Sequence, residues 1–213
     1  MRAMRAEKFC GYEGLKLVDL PKTVVSDGKV LLRMTAVGVT PLEHTILSGH
    51  FPLAKAPLVL GNEGAGVVEA GGGTDFPVGS RVMFTGPYGV FEDGAYSEWL
   101  AVRKENLCLI PEGVDDVSAA GIPVAYLTAQ MALTNAGFQA GKTVLAPAIG
   151  GSVGNAVTQL ARPWAPNTPS RARPIMRKPS GRRRSDSMRS SIPLSRSWVM
   201  ACAVSQAVTA QTS

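Results

Sequence analysis

Cysteine is scarce in this chain. Cys10, Cys108 and Cys202 are the three in 213 residues, odd in number and far apart, a pattern that speaks against a disulfide framework or a paired-cysteine zinc knot and predicts buried or idle thiols. No stretch approaches the roughly 18 consecutive apolar residues of a membrane helix, and the opening MRAMRAEKF has no signal-peptide core, so a soluble, cytoplasmic protein is expected. The most informative shortage is of acidic residues near the end. From Arg162 to Ser213 only Asp186 is acidic, among crowded Arg, Ser and Pro.

That shortage divides the chain. Up to Ala161 there are 12 Lys and Arg against 15 Asp and Glu, and afterwards 10 against one. The formal charge of +6 therefore sums an acidic body and a basic tail. A basic segment can attract nucleic acid or anionic lipid. This one has no periodic Lys/Arg helix, no aromatic series and no nucleic-acid-binding signature, so a solvated, disordered tail is expected, with nucleic-acid contact limited to non-specific association. Function has to be read from the first three quarters.

From Arg5 to about Gly113 the sequence consists of short β-like runs punctuated by Gly and Pro. Alternation of apolar and polar residues predicts strands at Lys29 to Val37, Gly66 to Ala70, Arg81 to Thr85 and Ala95 to Val102. Many short strands at close spacing point to a barrel or sandwich. Val117 to Ala136, rich in Ala, Leu, Met and Gln, reads as one helix interrupted around Pro123. A strand at Thr143 to Pro147 is expected next, followed by an amphipathic helix, so a β-rich first domain leads into an α/β second domain.

Between that strand and helix lies Ala148-Ile149-Gly150-Gly151-Ser152-Val153-Gly154. Small residues at Ala148, Gly151 and Gly154 give an A-x-x-G-x-x-G spacing. A side chain at position 151 would hold the backbone away from a pyrophosphate, Gly154 lets the helix pack closely on the strand, and the helix start offers free N–H groups and a positive dipole end. The arrangement suits an anionic dinucleotide; a tight strand-to-helix turn without a ligand is the competing reading. The residue about 20 positions on, which would choose between NAD and NADP, falls in the basic region.

Gly61-Asn62-Glu63-Gly64-Ala65-Gly66-Val67-Val68, Gly94-Ala95-Tyr96-Ser97-Glu98, Ile110-Pro111-Glu112-Gly113, Thr128-Ala129 and the Ala148 to Ala161 turn and helix occur in the order found in medium-chain dehydrogenases/reductases. Over roughly Arg5 to Ala161 the chain most resembles their zinc-independent, quinone oxidoreductase-like branch. Five ordered motifs are far more specific than any one. The resemblance implies a GroES-like β-barrel domain over 1–120, the start of a Rossmann domain over 121–162 and a basic tail over 163–213. The implied class is β plus α/β, with an incomplete Rossmann domain. The implied cofactor is NADPH, with NADH open, and the implied cofactor-binding residues are Thr40 and Thr128 near the nicotinamide and Ala148, Gly151, Ser152, Val153 and Gly154 along the pyrophosphate.

Zinc-dependent members of this superfamily place a cysteine where Thr40 aligns and a histidine where Asn62 stands. A hydroxyl and a neutral amide are poor substitutes for thiolate and imidazole, and one carboxylate, Glu63, cannot hold a site. The lobe with four cysteines that carries the structural zinc is also missing, so no metal is expected. Without a Lewis acid, alcohol oxidation is disfavoured; hydride transfer to a quinone or conjugated enone needs mainly positioning. An enoyl or acryloyl thioester reductase is the near alternative. Thr40 and Thr128 could equally be ordinary strand-end or helix hydroxyls. His44 and His50 flank the implied cleft, but no catalytic residue is assigned.

The tail admits a specific explanation. Read one base out of frame, Trp164-Ala165, Trp198-Val199 and Met200-Ala201 each force a glycine codon, and the neighbouring stretches permit an α/β continuation. A frame change near Ala161 would therefore have replaced most of the Rossmann domain; a genuine family-specific tail is the alternative. The consequence expected of a replaced tail is a barrel that folds, weak or absent NADPH binding, aggregation, and loss of the family's homodimer interface. The competing functional class is a non-catalytic isolated barrel.

Overall fold

The structure is a computed structural model that describes residues 1–25, 28–146 and 150–162. These residues divide into two compact units, 1–124 and 125–162, within the chain's division by contacts. The first unit carries β1 (Arg2–Ala6), β2 (Leu15–Asp19), β3 (Lys29–Val37), α1 (Pro41–Leu47), β4 (Leu58–Val59), β5 (Glu63–Ala70), β6 (Arg81–Thr85), β7 (Trp99–Arg103), β8 (Leu107–Leu109) and α2 (Asp116–Ala120). Helix α3 (Pro123–Asn135) leads into the second unit, and α4 (Ser152–Ala161) follows.

Two antiparallel sheets build the first unit, one in the order β2-β1-β4 and the other β7-β3-β5-β6-β8. β3 is flanked on both sides, pairing Lys29 with Arg103 along β7 and Val37 with Gly64 along β5. Its register with β5 shifts twice. Glycine permits the close approach there: a Cβ at Gly66 would lie 2.8 Å from Arg33 O, and one at Gly64 2.9 Å from Ala36 O. In an ordinary strand such contacts would push the neighbour away.

The core lies against the five-stranded sheet. Val30, Leu32, Val68, Val82, Phe84, Tyr88, Leu100 and Val102 are buried together, and the Phe84 and Tyr88 rings meet edge to face at 5.6 Å. Burial of the Tyr88 hydroxyl is compensated: it accepts from Arg103 N at 2.8 Å and donates to Asn106 Oδ1 at 3.3 Å. A second cluster, with Ile46 and Leu47 of α1, Leu58, Leu60 and Val90, fastens α1 beside β4. This packing positions the residues of the candidate site.

The interruption expected at Pro123 is present. α2 starts at the N-cap Asp115, whose carboxylate accepts from Ser118 N at 2.8 Å, and stops before Gly121. Pro123 then begins α3, where its missing N–H costs nothing. In the second unit Ala125, Ala129 and Leu133 of α3 pack on Ala156 and Val157 of α4. The expected strand at Thr143 to Pro147 is not formed over 143–146, and Pro147 lies outside the described residues. Leu145 is 77% exposed. A parallel strand exists only between partners, and among the described residues no strand lies in this unit. The basic tail over 163–213 also lies outside the described residues.

Candidate active site

The sequence Thr40-Pro41-Leu42-Glu43 opens α1 with a capping box, and Pro occupies the first helical position. The Thr40 hydroxyl accepts from Leu42 N at 3.2 Å and donates to Glu43 Oε2 at 2.6 Å, and Thr40 N donates to the same oxygen at 2.7 Å. Glu43 faces inward and is 4% exposed. Its other oxygen accepts from Asn62 N at 3.3 Å, so the helix cap is also a tie to the chain entering β5.

Glu63, the first residue of β5, is equally buried. Its Oε2 accepts from Val124 N, in the first turn of α3, at 2.8 Å, a favourable place for a carboxylate. Gly38 is needed opposite: a Cβ there would run into Oε1 of Glu63. Gly38 N also donates to Glu63 O at 3.2 Å, and Gly38 O accepts from the Tyr96 hydroxyl at 3.4 Å. Gly61, at φ +98°, lets the chain pass under Tyr96.

The electrostatics follow from this crowding. Burial pushes the Glu63 carboxyl up from its ordinary 4.5 to about 7; the Val124 N–H pulls it down, and the charge on Glu43 adds to the rise. The Tyr96 phenol is likewise raised, first by burial and then by Glu43, Glu63 and Tyr12. Asn62 is 8% exposed, and its buried Oδ1 has no hydrogen-bond partner among the described residues. On the outer side of α1, exposed His44 takes part in a 3.1 Å hydrogen bond between its Nδ1 and the Tyr12 hydroxyl. His50 is exposed after the helix.

Of the residues expected from sequence, Thr40 stands in this cluster. Gly151, Ser152, Val153 and Gly154 come together at the start of α4, with Gly151 as N-cap and no side-chain cap among the described residues. Thr128 is an exposed residue of α3. Ala148 lies outside the described residues. Sequence reasoning missed Glu43 and Tyr96. The T-x-x-E spacing was a usable signal for Glu43 as a cap, but nothing local marks it as buried beside Glu63. The expectation of idle cysteines needs amendment: Cys10 is a free, exposed thiol, whereas Cys108 is not free.

Thr40 and Asn62 offer a hydroxyl and an amide, and among the described residues no three His, Cys, Asp or Glu side chains come together as a metal group. No described helix is long and apolar enough to cross a membrane.

Residues 26–112 match the alcohol dehydrogenase GroES-like domain. The chain is 35% identical over 171 residues to a quinone oxidoreductase from Homo sapiens, a match covering 77% of this chain and 50% of that protein. It is 31% identical over 173 residues to a chloroplastic NADPH-dependent alkenal/one oxidoreductase from Arabidopsis thaliana, covering 76% and 45%. Among solved structures, the quinone oxidoreductase of Thermus thermophilus, determined also in complex with NADPH, is similar at a TM-score of 0.67 and 34% identity, covering 77% of this chain and 50% of that one. The chain thus spans about half the length of the curated relatives it matches. With a GroES-like domain, the ordered glycine motifs and these likenesses, it belongs to the medium-chain dehydrogenase/reductase family.

Proposed function

We propose that this chain derives from an NAD(P)H-dependent oxidoreductase of the quinone reductase type, which transfers hydride to a quinone or conjugated enone without zinc. The observation that carries the reading is the barrel-side cluster, where the superfamily's zinc positions are filled by Thr40 and Asn62 and two buried carboxylates are satisfied by backbone N–H groups. That arrangement orders a surface and holds a proton, and offers no Lewis acid.

The residues present fit part of a nicotinamide dinucleotide. The α4 start has no capping side chain, Gly151 and Ser152 are exposed, and a Cβ at Gly150 would meet nothing within 4 Å. Backbone N–H groups there suit a pyrophosphate, and Val153 and Gly154 continue the first turn of α4; the role expected of Ala148 falls outside the described residues. Bound NADPH would supply the hydride. Thr40 and Thr128 would orient the nicotinamide end, and Glu63, with its carboxyl near 7, would hold a proton in the barrel wall at neutral pH.

For these 213 residues the cofactor half is impaired. What supports this is composition and structure together: the basic, Pro-containing sequence after Ala161, and a second unit whose described part has two helices and no strand. A dinucleotide fold needs several βαβ units. The same observations favour a second reading, a non-catalytic barrel, over an enoyl thioester reductase. The family homodimer contact would be lost if no sheet forms in this unit, and tail contacts with nucleic acid would be non-specific.

Titration of the purified chain with NADPH tests the reading, with turnover measured against a quinone and an alkenone. The expected result is no saturation in the micromolar range and no more than trace turnover of either. Saturable micromolar binding would overturn the impairment, and such binding with neither acceptor consumed would overturn the redox assignment.

A further inference from the structure

Asn62 is tied down through its main chain and left open through its side chain. Its N–H donates to Glu43 Oε1 at 3.3 Å, and its carbonyl accepts from the Thr85 hydroxyl at 2.9 Å, so the backbone is pinned between α1 and the end of β6. The side-chain Oδ1 is the one buried side-chain nitrogen or oxygen without a partner among the described residues. Buried polar groups are nearly always paired. In a wall that satisfies the carboxylates of Glu43 and Glu63 with N–H groups, an unpaired amide oxygen points to a partner from outside the chain.

The neighbours on that face are apolar. Val37 pairs with Gly64, and the bond from Gly38 N to Glu63 O carries the pairing one step further; continuing the register sets Val39 across from Asn62. Glu63 turns toward Val124 N, so the strand period of two sends the Asn62 side chain to the opposite face, which Val37 and Val39 share. Val39 is 81% exposed and Val37 38%. An unpaired amide beside two accessible valines suits a flat, neutral ring that carries an oxygen.

We propose that the Asn62 amide reads the oxygen of a bound quinone in both oxidation states, its Nδ2 donating to the quinone carbonyl and its Oδ1 accepting from the hydroquinone O–H. This rests on the reading above that the barrel wall serves a quinone or enone. An amide carries donors at one end and an acceptor at the other, and a half-turn about Cβ–Cγ exchanges them without touching either main-chain bond. A hydroxyl such as that of Thr40 has no such freedom, because the α1 cap fixes where it donates and accepts. Asn62 therefore selects a ring by the presence of its oxygen and not by its redox state.

The test uses NMR on the labelled full chain with three probes: tetramethyl-benzoquinone, whose substituted ring cannot add to the exposed Cys10 thiol; its hydroquinone, kept under nitrogen; and the dimethyl ether of that hydroquinone, which has neither a carbonyl nor an O–H. The Asn62 side-chain NH2 and the Val39 methyl signals are followed. Quinone and hydroquinone are each expected to shift them at roughly tenfold lower concentration than the ether, the worth of one hydrogen bond. The quinone should move the NH2 protons most, and the hydroquinone the side-chain carbonyl carbon. Asn62→Leu keeps the side-chain size and both main-chain bonds, and should bring all three probes to the ether's level; the wild-type comparison stands without it.

Equal response to the ether, or an advantage for only one oxidation state, overturns the inference and leaves the quinone reading standing. So does a water molecule that stays on Oδ1 in the presence of every probe, or a set of shifts confined to other parts of the barrel. No response of any barrel signal to any probe overturns that reading, and the inference with it.

Discussion

Replacing Glu63 by Gln should change how stability responds to pH more than it changes stability at any one pH. The Glu63 carboxyl is buried and rises from 4.5 to about 7, with burial as the first cause. A raised folded value means that folding favours the protonated form. The stabilising contribution is therefore fully present below pH 4.5 and is lost as pH rises through about 7. At about 1.4 kcal/mol per unit, the whole excursion is about 3 kcal/mol, an order-of-magnitude figure. Gln keeps an oxygen for Val124 N–H and cannot ionise. Urea unfolding of both proteins, followed by circular dichroism from pH 4 to 8.5, gives a difference curve in which the other titrating groups cancel. The variant should gain on the wild type as pH rises through this window, and be level with it or less stable at the acid end. Glu43→Gln should move the wild-type window to lower pH, because the neighbouring negative charge is part of the rise. A flat difference curve, or one falling with pH, would refute the assignment of a buried, neutral-pH proton to Glu63.

Other substitutions address the same packing. Gly38→Ala brings a methyl into Oε1 of Glu63 and should lower stability by about 1–3 kcal/mol, read as a drop in the urea midpoint; an unchanged midpoint would mean that β3 gives way freely. Phe84→Ala empties the site against Tyr88 in the core and should cost about 3–5 kcal/mol by the same assay. Asp116→Asn removes an ion pair with Arg81 whose partners are 26% and 40% exposed, and should cost under about 1 kcal/mol. Gly151→Val should leave the barrel's unfolding unchanged and eliminate any residual NADPH binding seen by titration.

Legibility in the sequence followed the range of the interaction responsible. Lys29 to Val37 and Arg81 to Thr85 were read with the bounds that the strands have, because alternation within a strand is local information. β5 was read from Gly66 but begins at Glu63; Gly64 and Gly66, poor strand formers, are there because β3 approaches so closely. β7 was expected from Ala95, yet 95–98 reach β1 and the chain before β5 through separate hydrogen bonds, such as Met4 N to Tyr96 O and Tyr96 N to Leu60 O. β1, β2, β4 and β8 were not anticipated. RAMRA has little alternation to show, and β1 becomes a strand by pairing with Leu15–Asp19 and Leu58–Val59.

The site divides along the same line. Thr40 and Gly151 stand out in the sequence because the helix starts they cap are short motifs. The two carboxylates do not, since Glu43 and Glu63 become a coupled pair only when α1 is folded against the start of β5 and Val124 N reaches Glu63. A carboxylate counted from sequence as a lone failed metal ligand is thus one of two groups that order the barrel wall. Backbone N–H groups at 40, 62 and 124 satisfy the buried oxygens, and leaving any one of those oxygens unpaired would cost about 1–3 kcal/mol. The geometry of this wall is therefore held by the polypeptide itself, through carboxylates that bind chain segments far apart in sequence.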